Sequence, residues 1–396
     1  MASLGNMTMP EVKIVIGANY GDEGKGLVTN YFSSKAKSDN KSCLNVLFNG
    51  SCQRGHTVEL KDGTRHVFHH FGSGTFAGAA TYFDVDFIVN PIFFVEEYIE
   101  LRDKYGVEPV CHLNPRCRVG VPYDAFINQE LESSRGDFRH GSCGLGVWET
   151  ARRYDTIYSL TFEDMVRLSD ELLDEYLNDI AAHYVECAMF EYGIYDRLHN
   201  IAELCRSEKL RAEYIKAFRA MQHLVEPAEF EDLVKQYDVI VFEGGQGLAL
   251  DQDNVEMWPH ITASPTGSCI PVSACKDVGV EDIEVVYVTR TYFTRHGAGP
   301  FPTECSREEL GLQYEDETNI HNEHQGSIRY GRFDEEEFRR RISKDMFCIN
   351  GVNYNLFVTH SLAVDTDGVC LCDLFQRFYY AADRYADGVF RFNLNS

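Results

Sequence analysis

With 62 acidic against 37 basic residues in a chain of 396, the formal net charge is −25. That balance argues against a sequence-independent nucleic-acid binder, whose affinity rests on clustered Lys and Arg, and against an anionic membrane surface as partner. The length is enough to bury a large core, as one big α/β domain or two smaller ones.

In chain order, Met1–Pro10 has neither a basic n-region nor an apolar h-region, and no later run reaches a membrane-spanning length, so the expectation is a soluble, cytoplasmic protein. The first apolar run, Val12 to Ile16, leads into Gly21-Asp22-Glu23-Gly24-Lys25-Gly26 and then Leu27 to Phe32. This order predicts a strand, a glycine loop and a helix. Backbone N–H groups and a helix N-terminus there can close around phosphate, with Lys25 to neutralise it. Gly21, Glu23, Gly24 and Gly26 belong to that cradle. Asp22 is its odd member, because an anion beside phosphate is repelled unless a cation or a proton-transfer role accounts for it.

The next strand, Leu44 to Phe48, ends in Asn49-Gly50-Ser51-Cys52-Gln53-Arg54-Gly55-His56-Thr57, a second glycine-bearing loop. Ligands of open α/β sheets bind at such carboxyl ends. His56 there and Asp22 in the first loop give an acid and a base able to face each other across a substrate. Further strands are expected at Phe87–Val89, Val239–Phe242, Val285–Thr289 and Leu356–Val358. Charges interleaved with apolar residues predict helices over Phe94–Asp103, Leu168–Tyr192, Ala202–Leu224 and Glu335–Ile342.

This alternation predicts an α/β fold: a large, mostly parallel sheet with helices on both faces. Without a low-complexity linker or repeat, residues 1–396 are expected to form a single domain, with the acidic block of about 162–231 as a peripheral helical insertion. The runs Glu315-Asp316-Glu317 and Asp334-Glu335-Glu336-Glu337 read as solvated faces. The 13 cysteines are scattered with no C-x-x-C pair, Cys111/Cys117 and Cys370/Cys372 coming nearest to a motif, so reduced, buried thiols are expected.

Three more segments place small polar residues after an apolar stretch. They are Glu243-Gly244-Gly245-Gln246-Gly247 with Pro259 to Thr262, then Thr294-Arg295-His296-Gly297-Ala298-Gly299-Pro300-Phe301-Pro302-Thr303-Glu304, and Gly141-Ser142-Cys143-Gly144-Leu145-Gly146 with Arg152 and Arg153 following. Together, G-D-E-G-K-G, G-H-T, E-G-x-Q-G and G-A-G-P-F-P-T-E resemble the adenylosuccinate synthetase family in content and order, from about Val12 to about Leu362.

The resemblance implies ligation of L-aspartate to C6 of a purine nucleoside monophosphate, driven by a nucleoside triphosphate and Mg²⁺, in a homodimer. It implies that Asp22 is the base at N1, that His56 stabilises O6 and then acts as acid, and that Lys25 neutralises the transferring phosphoryl group. It also implies Asp22 and the Gly55 carbonyl as Mg²⁺ contacts. Gln53, Thr57, Gln246 and Thr262 would lie at the purine nucleotide. Ser142, Cys143 and Gly144 would form its 5′-phosphate loop, with Arg152 or Arg153 reaching in from the second subunit.

The chain also departs from the family. Where an arginine run grips the aspartate carboxylates, only Arg329 and Arg332 remain, and Arg329 is the stronger candidate for a planar, bidentate grip. The Thr-Lys-Leu-Asp element that reads guanine is replaced by Thr359-His360-Ser361-Leu362, with Asp365 the nearest acid, which favours ATP or dATP over GTP as donor. Gln53-Arg54 stands where Asn-Ala is usual, and Cys143 where a threonine is. Bacteriophage relatives act on dGMP and also lack the guanine-reading element, though they carry serine at the position of Asp22, so IMP and (d)GMP both stay open. A non-catalytic nucleotide-binding protein is a further alternative, to which the retained Asp22, Lys25 and His56 are opposed. A GTPase switch is disfavoured by Gly26, which follows Lys25 where such loops carry Ser or Thr.

Overall fold

The computed structural model describes residues 9–312, 325–347 and 349–359, together with the backbone of two strands, 382–386 and 389–393. Its centre is a ten-stranded sheet. Across it the strands run Ala382–Ala386, Val389–Asn393, Asn353–Thr359, Ile283–Arg290, Glu11–Gly17 (β1), Val239–Gly247, Cys43–Leu47 (β2), Ala80–Phe83, Cys111–Leu113 and Glu226–Pro227. Neighbours from Asn353–Thr359 onward are all parallel, while the Val389–Asn393 strand closes that edge antiparallel. This is the expected α/β architecture.

β1 sits between two partners, with Val12 opposite both Ile240 and Ile283. Val12, Ile14, Val15 and Ile16 are all fully buried, which is why the strand reads as apolar on both faces, interrupted only by the partly buried Lys13, which pairs with Glu284 at 2.5 Å. Helix α1, Lys25–Ser38, covers one face of the sheet. The other face packs into a core that includes Ile14, Phe242, Phe338 and Leu356.

Helix α2, Pro91–Tyr105, starts at Asn90, whose side chain accepts from the Ile92 and Phe93 N–H groups, and ends at Gly106 in the left-handed region. Helices α3, Pro122–Arg135, and α4, Val147–Tyr154, follow. Phe87–Val89 is only a two-residue strand, Ile88–Val89, paired with Arg118–Val119 outside the main sheet. The sheet strand Ala80–Phe83 was not expected from sequence.

The 162–231 block is helical apart from the short strand Glu226–Pro227 at the outer edge of the sheet, and its inner face packs on the rest of the chain. Leu173, Leu177, Phe218 and Met221 are buried in the same core as Leu113 and Val119, and the Tyr214 hydroxyl donates to the Gly120 carbonyl at 2.9 Å. The expected Leu168–Tyr192 helix is interrupted by a π-helical turn at Ile180–Tyr184. Ala202–Leu224 is broken at Ser207, whose hydroxyl caps a new helix by accepting from the Leu210 N–H. Asp334–Glu337 opens the Glu335–Phe347 helix, with the Asp334 carboxylate accepting from the Glu337 N–H at 3.0 Å.

Six of the ten described cysteines are buried thiols, and none of the ten is in a disulfide. Among the described residues no helix is long and apolar enough to cross a membrane. Glu315–Glu317, His360–Leu362, Asp365, Cys370 and Cys372 lie outside the described residues.

Candidate active site

The glycine loop joins β1 to α1 at the carboxyl ends of the parallel strands. Gly24 is the N-cap of α1 with φ 91°, and no side chain caps the first turn among the described residues, so the first N–H groups of the helix are left for an anion. Asp22 is itself left-handed, at φ 57°, a conformation that costs a non-glycine residue about 1 kcal/mol or more. Bonds from outside the loop hold it there: Arg290 Nε donates to the Asp22 carbonyl, and Thr294 Oγ1 to the Gly21 carbonyl at 3.1 Å. The Asp22 carboxylate is left partly exposed, 3.5 Å from His296 Nε2.

Glu23 turns the opposite way. It is 2 % exposed, its Oε1 accepts from the Asn19 N–H, and burial raises its carboxyl to about 7. Its share in a phosphate cradle is therefore its backbone. Lys25 is buried below the loop, and desolvation lowers its ammonium from the usual value.

Two glycines bring the loops together. A Cβ on Gly17 would collide with Glu23 Oε2 and lie 3.1 Å from Lys25 Nζ. One on Gly26 would lie 2.9 Å from His56 Cβ and 3.0 Å from Ser73 Oγ. The phosphate cradle and the Gly55-His56-Thr57 segment are thus in direct contact through Gly26.

His56 opens a short strand, His56–Glu59, paired antiparallel with Arg65–Phe68. Its Nδ1 lies 2.5 Å from Glu243 Oε1, and its Nε2 is buried with no partner among the described residues. Burial, then the Arg54 charge, pushes the imidazole down to about 4. A carboxylate at Nδ1 fixes the tautomer with the proton there and leaves Nε2 to a ligand. Glu243 is itself fully buried. Desolvation would raise its carboxyl, but Arg54, His56 and Ser73 together hold it far below the carboxylate range. Arg54 Nη2 is 3.0 Å from Glu243 Oε2, which also accepts from the Ser73 N–H at 3.0 Å, and Ser73 Oγ donates to Oε1.

Sequence reasoning gave neither Glu243 nor Arg54 a role. The available signal was an acid at the end of Val239-Ile240-Val241-Phe242, because a charge inside a buried strand needs a partner.

Beside these residues lies a cavity of about 360 Å³ walled by Gln53, Ser142, Cys143, Gln246, Thr262 and His296 among others. That volume suits a small ligand. Asp22, Lys25 and His56 are not in its wall. His296, which is, links it to Asp22, and Gln246 links it to Gly17 and Gly21. Gln53 Oε1 is buried there without a partner among the described residues. Ser142 Oγ donates to Asn128 Oδ1 at 2.7 Å, the Gly144 carbonyl accepts from Gln129 Nε2 at 3.0 Å, and Thr57 lies partly buried beside His56. A further cavity residue was missed from sequence. Glu149 is 2 % exposed, accepts from Asn128 Nδ2 at 3.1 Å, and is pushed by burial to about 7.

The arginines divide. Arg153 is buried and fully engaged within its own chain, by Asp124, the Val119 carbonyl and the Tyr158 carbonyl, so it cannot reach into a second subunit. Arg152 is half-buried, stacked 4.5 Å from the Tyr192 ring centroid and paired with Glu191. Arg329 lies at the Gly297–Gly299 loop, donating to Glu304 and to both glycine carbonyls. Arg332 faces Glu309 on the surface.

Among the described residues no cluster of three or more His, Cys, Asp or Glu could hold a metal ion. Mg²⁺ does not require one, since it is commonly bound by one or two carboxylates plus substrate phosphates. The partly exposed Asp22 carboxylate and the exposed Gly55 backbone are oxygen donors of that kind.

Comparison with known proteins gives the same family. Residues 14–354 match the adenylosuccinate synthetase family model. The adenylosuccinate synthetase of Acaryochloris marina is 30% identical over 307 residues, 76% of this chain but 64% of the relative, so the chain spans slightly under two thirds of that protein's length. The Lactobacillus helveticus enzyme is 27% identical over 357 residues, 86% of this chain and 76% of its own. Among solved structures, the fully ligated adenylosuccinate synthetase of Plasmodium falciparum superposes with a TM-score of 0.62 at 18% identity, covering 88% of this chain and 80% of that one. The succinoaminodeoxyadenylate synthetase of cyanophage S-2L, bound to dGMP and to dATP as energy donor, superposes with 0.61 at 17% identity, covering 93% and 89%. Motif order, parallel sheet and family match agree: the chain belongs to the adenylosuccinate synthetase family.

Proposed function

We propose that this protein is a ligase that joins L-aspartate to C6 of a purine nucleoside 5′-monophosphate, IMP in the first instance, at the expense of a nucleoside triphosphate. The observation that carries this reading is the contact of the two loops through Gly26. It brings a His56 with an open Nε2 against the loop that carries the buried Lys25 and the partly exposed Asp22. A nucleotide-binding module needs no such acid–base set.

In this reading Asp22 takes the N1 proton, which puts negative charge on O6. The O6 oxyanion attacks the γ-phosphorus, and the nucleoside diphosphate leaves. Lys25 and the open N–H groups of α1 balance the charge of the phosphoryl group in transfer. The amine of aspartate then displaces the 6-phosphate; the open Nε2 of His56 takes the proton that the amine gives up, and the imidazolium, held against Glu243, passes it to the departing phosphate oxygen. Mg²⁺, held by Asp22 and the Gly55 carbonyl, would supply further charge neutralisation at the triphosphate.

The cavity receives the monophosphate, with Gln246 and Thr262 at the nucleoside, Ser142, Cys143 and Gly144 at its phosphate, and Arg152 entering from a second copy of the chain in a cytoplasmic homodimer. Arg329, already set to bind a carboxylate through Glu304, takes a carboxylate of aspartate by exchange. The proposed donor is ATP or dATP. Initial rates with saturating ATP and GTP test this, and a strong GTP preference sinks it.

One observation favours a second substrate. The buried, unpartnered acceptor Gln53 Oε1 in the cavity wall suits an extra donor such as the 2-amino group of GMP or dGMP. The cyanophage relative in the comparison carries dGMP. Incubation with IMP, GMP, dIMP and dGMP, read by mass spectrometry, separates these readings. The expected product is heavier than its nucleotide by aspartate less water, and absence of any such product defeats the ligase reading.

A further inference from the structure

Behind His56 lies a charge that the ligation itself does not use. Arg54 is 1 % exposed, and its Nη2 reaches Glu243 Oε2 at 3.0 Å and the Phe71 carbonyl at 3.5 Å. Its Nε and Nη1 are buried with no partner among the described residues. A guanidinium so deep with idle donors is expensive, and apolar residues replacing such a buried ion pair are often neutral or stabilising. Stability is therefore a poor account of Arg54.

Geometry gives a better one. Glu243 has two oxygens. Oε2 is taken by Arg54 and the Ser73 N–H, which leaves Oε1 to Ser73 Oγ and His56 Nδ1. Without Arg54 the buried Glu243 charge would turn to the other cation that feels it, Lys25, the group aimed at phosphate. It would then be held by Ser73 alone on that side and could turn from Nδ1 toward Lys25, so that the imidazole would lose the acceptor that fixes its tautomer. One arginine thus keeps two groups in place for the substrate.

We propose that Arg54 is a positioning residue: it pins Glu243 so that His56 presents an open, proton-accepting Nε2 to the reacting groups and Lys25 stays available to phosphate. The inference rests on the reading of His56 and Lys25 as reacting groups. The test is Arg54→Met, which keeps a long apolar stem and removes the charge, compared with Arg54→Lys.

Nitrogen NMR of His56 in the ligand-free protein at one fixed pH should show the Nδ1–H tautomer in the wild type, a mixture in Arg54→Met, and the wild-type form in Arg54→Lys. In turnover, kcat of Arg54→Met should fall about tenfold or more while KM for the monophosphate changes less than about twofold, and Arg54→Lys should recover most of the loss. A folded Arg54→Met protein that keeps the Nδ1–H tautomer overturns the proposal, whatever its rate. If Arg54→Met does not fold, Arg54→Lys decides: a lost Nδ1–H tautomer overturns the proposal and a retained one supports it. The NMR readout needs no turnover. A wild type inactive on every purine monophosphate would therefore defeat the ligase reading separately.

Discussion

Glu149→Gln isolates the buried carboxyl in the cavity wall. Desolvation pushes Glu149 from 4.5 to about 7, against the hydrogen bonds it accepts from Asn128 and from its own backbone N–H. The folded protein therefore holds this proton over a range in which the unfolded chain has lost it. The stability so contributed is fully present below pH 4.5 and is lost as pH rises through about 7. Well above that range the loss is on the order of 3 kcal/mol. Glutamine can accept the same Asn128 bond and cannot ionise, so the variant should escape the loss. Urea unfolding should give stabilities within about 1 kcal/mol of each other at acid pH, and a variant more stable by about 2–3 kcal/mol in mildly alkaline buffer. Glu23 and Asp84, also buried and raised, titrate in both proteins and cancel in the difference. Parallel loss of stability with pH in the two proteins would refute the reasoning, because Glu149 would then be ionised and paired, with Arg135 the cation in range.

The other predictions concern the arginine pair and the loops. Arg153→Met strands the fully buried Asp124 carboxylate and should cost about 3–5 kcal/mol, whereas Arg152→Ala, at a half-exposed pair, should cost less than about 1 kcal/mol; thermal melts compare them directly. Gly146→Ala should lose about 2 kcal/mol, because φ is 71° and the added Cβ would lie 2.6 Å from the Asp124 carbonyl oxygen; an unchanged melting temperature contradicts that packing. Asp22→Asn should lower kcat about a hundredfold or more while calorimetric nucleotide affinity stays near wild type, and equal turnover by the two proteins would remove Asp22 as the base.

Much of the fold was legible where one local signal was enough. Val12–Ile16 is buried between two partner strands, and Gly21 to Gly26 can only be a tight turn into a helix. Ala80–Phe83 offered no such signal. Its four residues sit among glycines and alanines, and its strand character comes from pairing with Leu44–Leu47 on one side and Cys111–Leu113 on the other. The adjacent Arg152 and Arg153 could not be told apart in sequence. Consecutive positions on a helix point about 100° apart, so one of them turned to Asp124 in the core and the other to the surface. The only described cue to which was which lies on a different helix, at Asp124 in α3.

The site divides by the same logic. Asp22, Lys25 and His56 stand in glycine-bearing loops, and a loop with that chemistry advertises a ligand. Glu243 stands at the end of an apolar strand, and its sequence position says only that a buried carboxylate there must find cations. Which partners it finds depends on a contact across 187 residues to His56 and on an arginine two places before that histidine. Because the two charges and the imidazole share one buried network, changing Arg54 or Glu243 alone leaves an unpaired charge in the interior, whereas changing both to neutral residues of similar volume should restore folding and still fail to orient His56. The double variant therefore separates what the pair does for stability from what it does for the reacting imidazole.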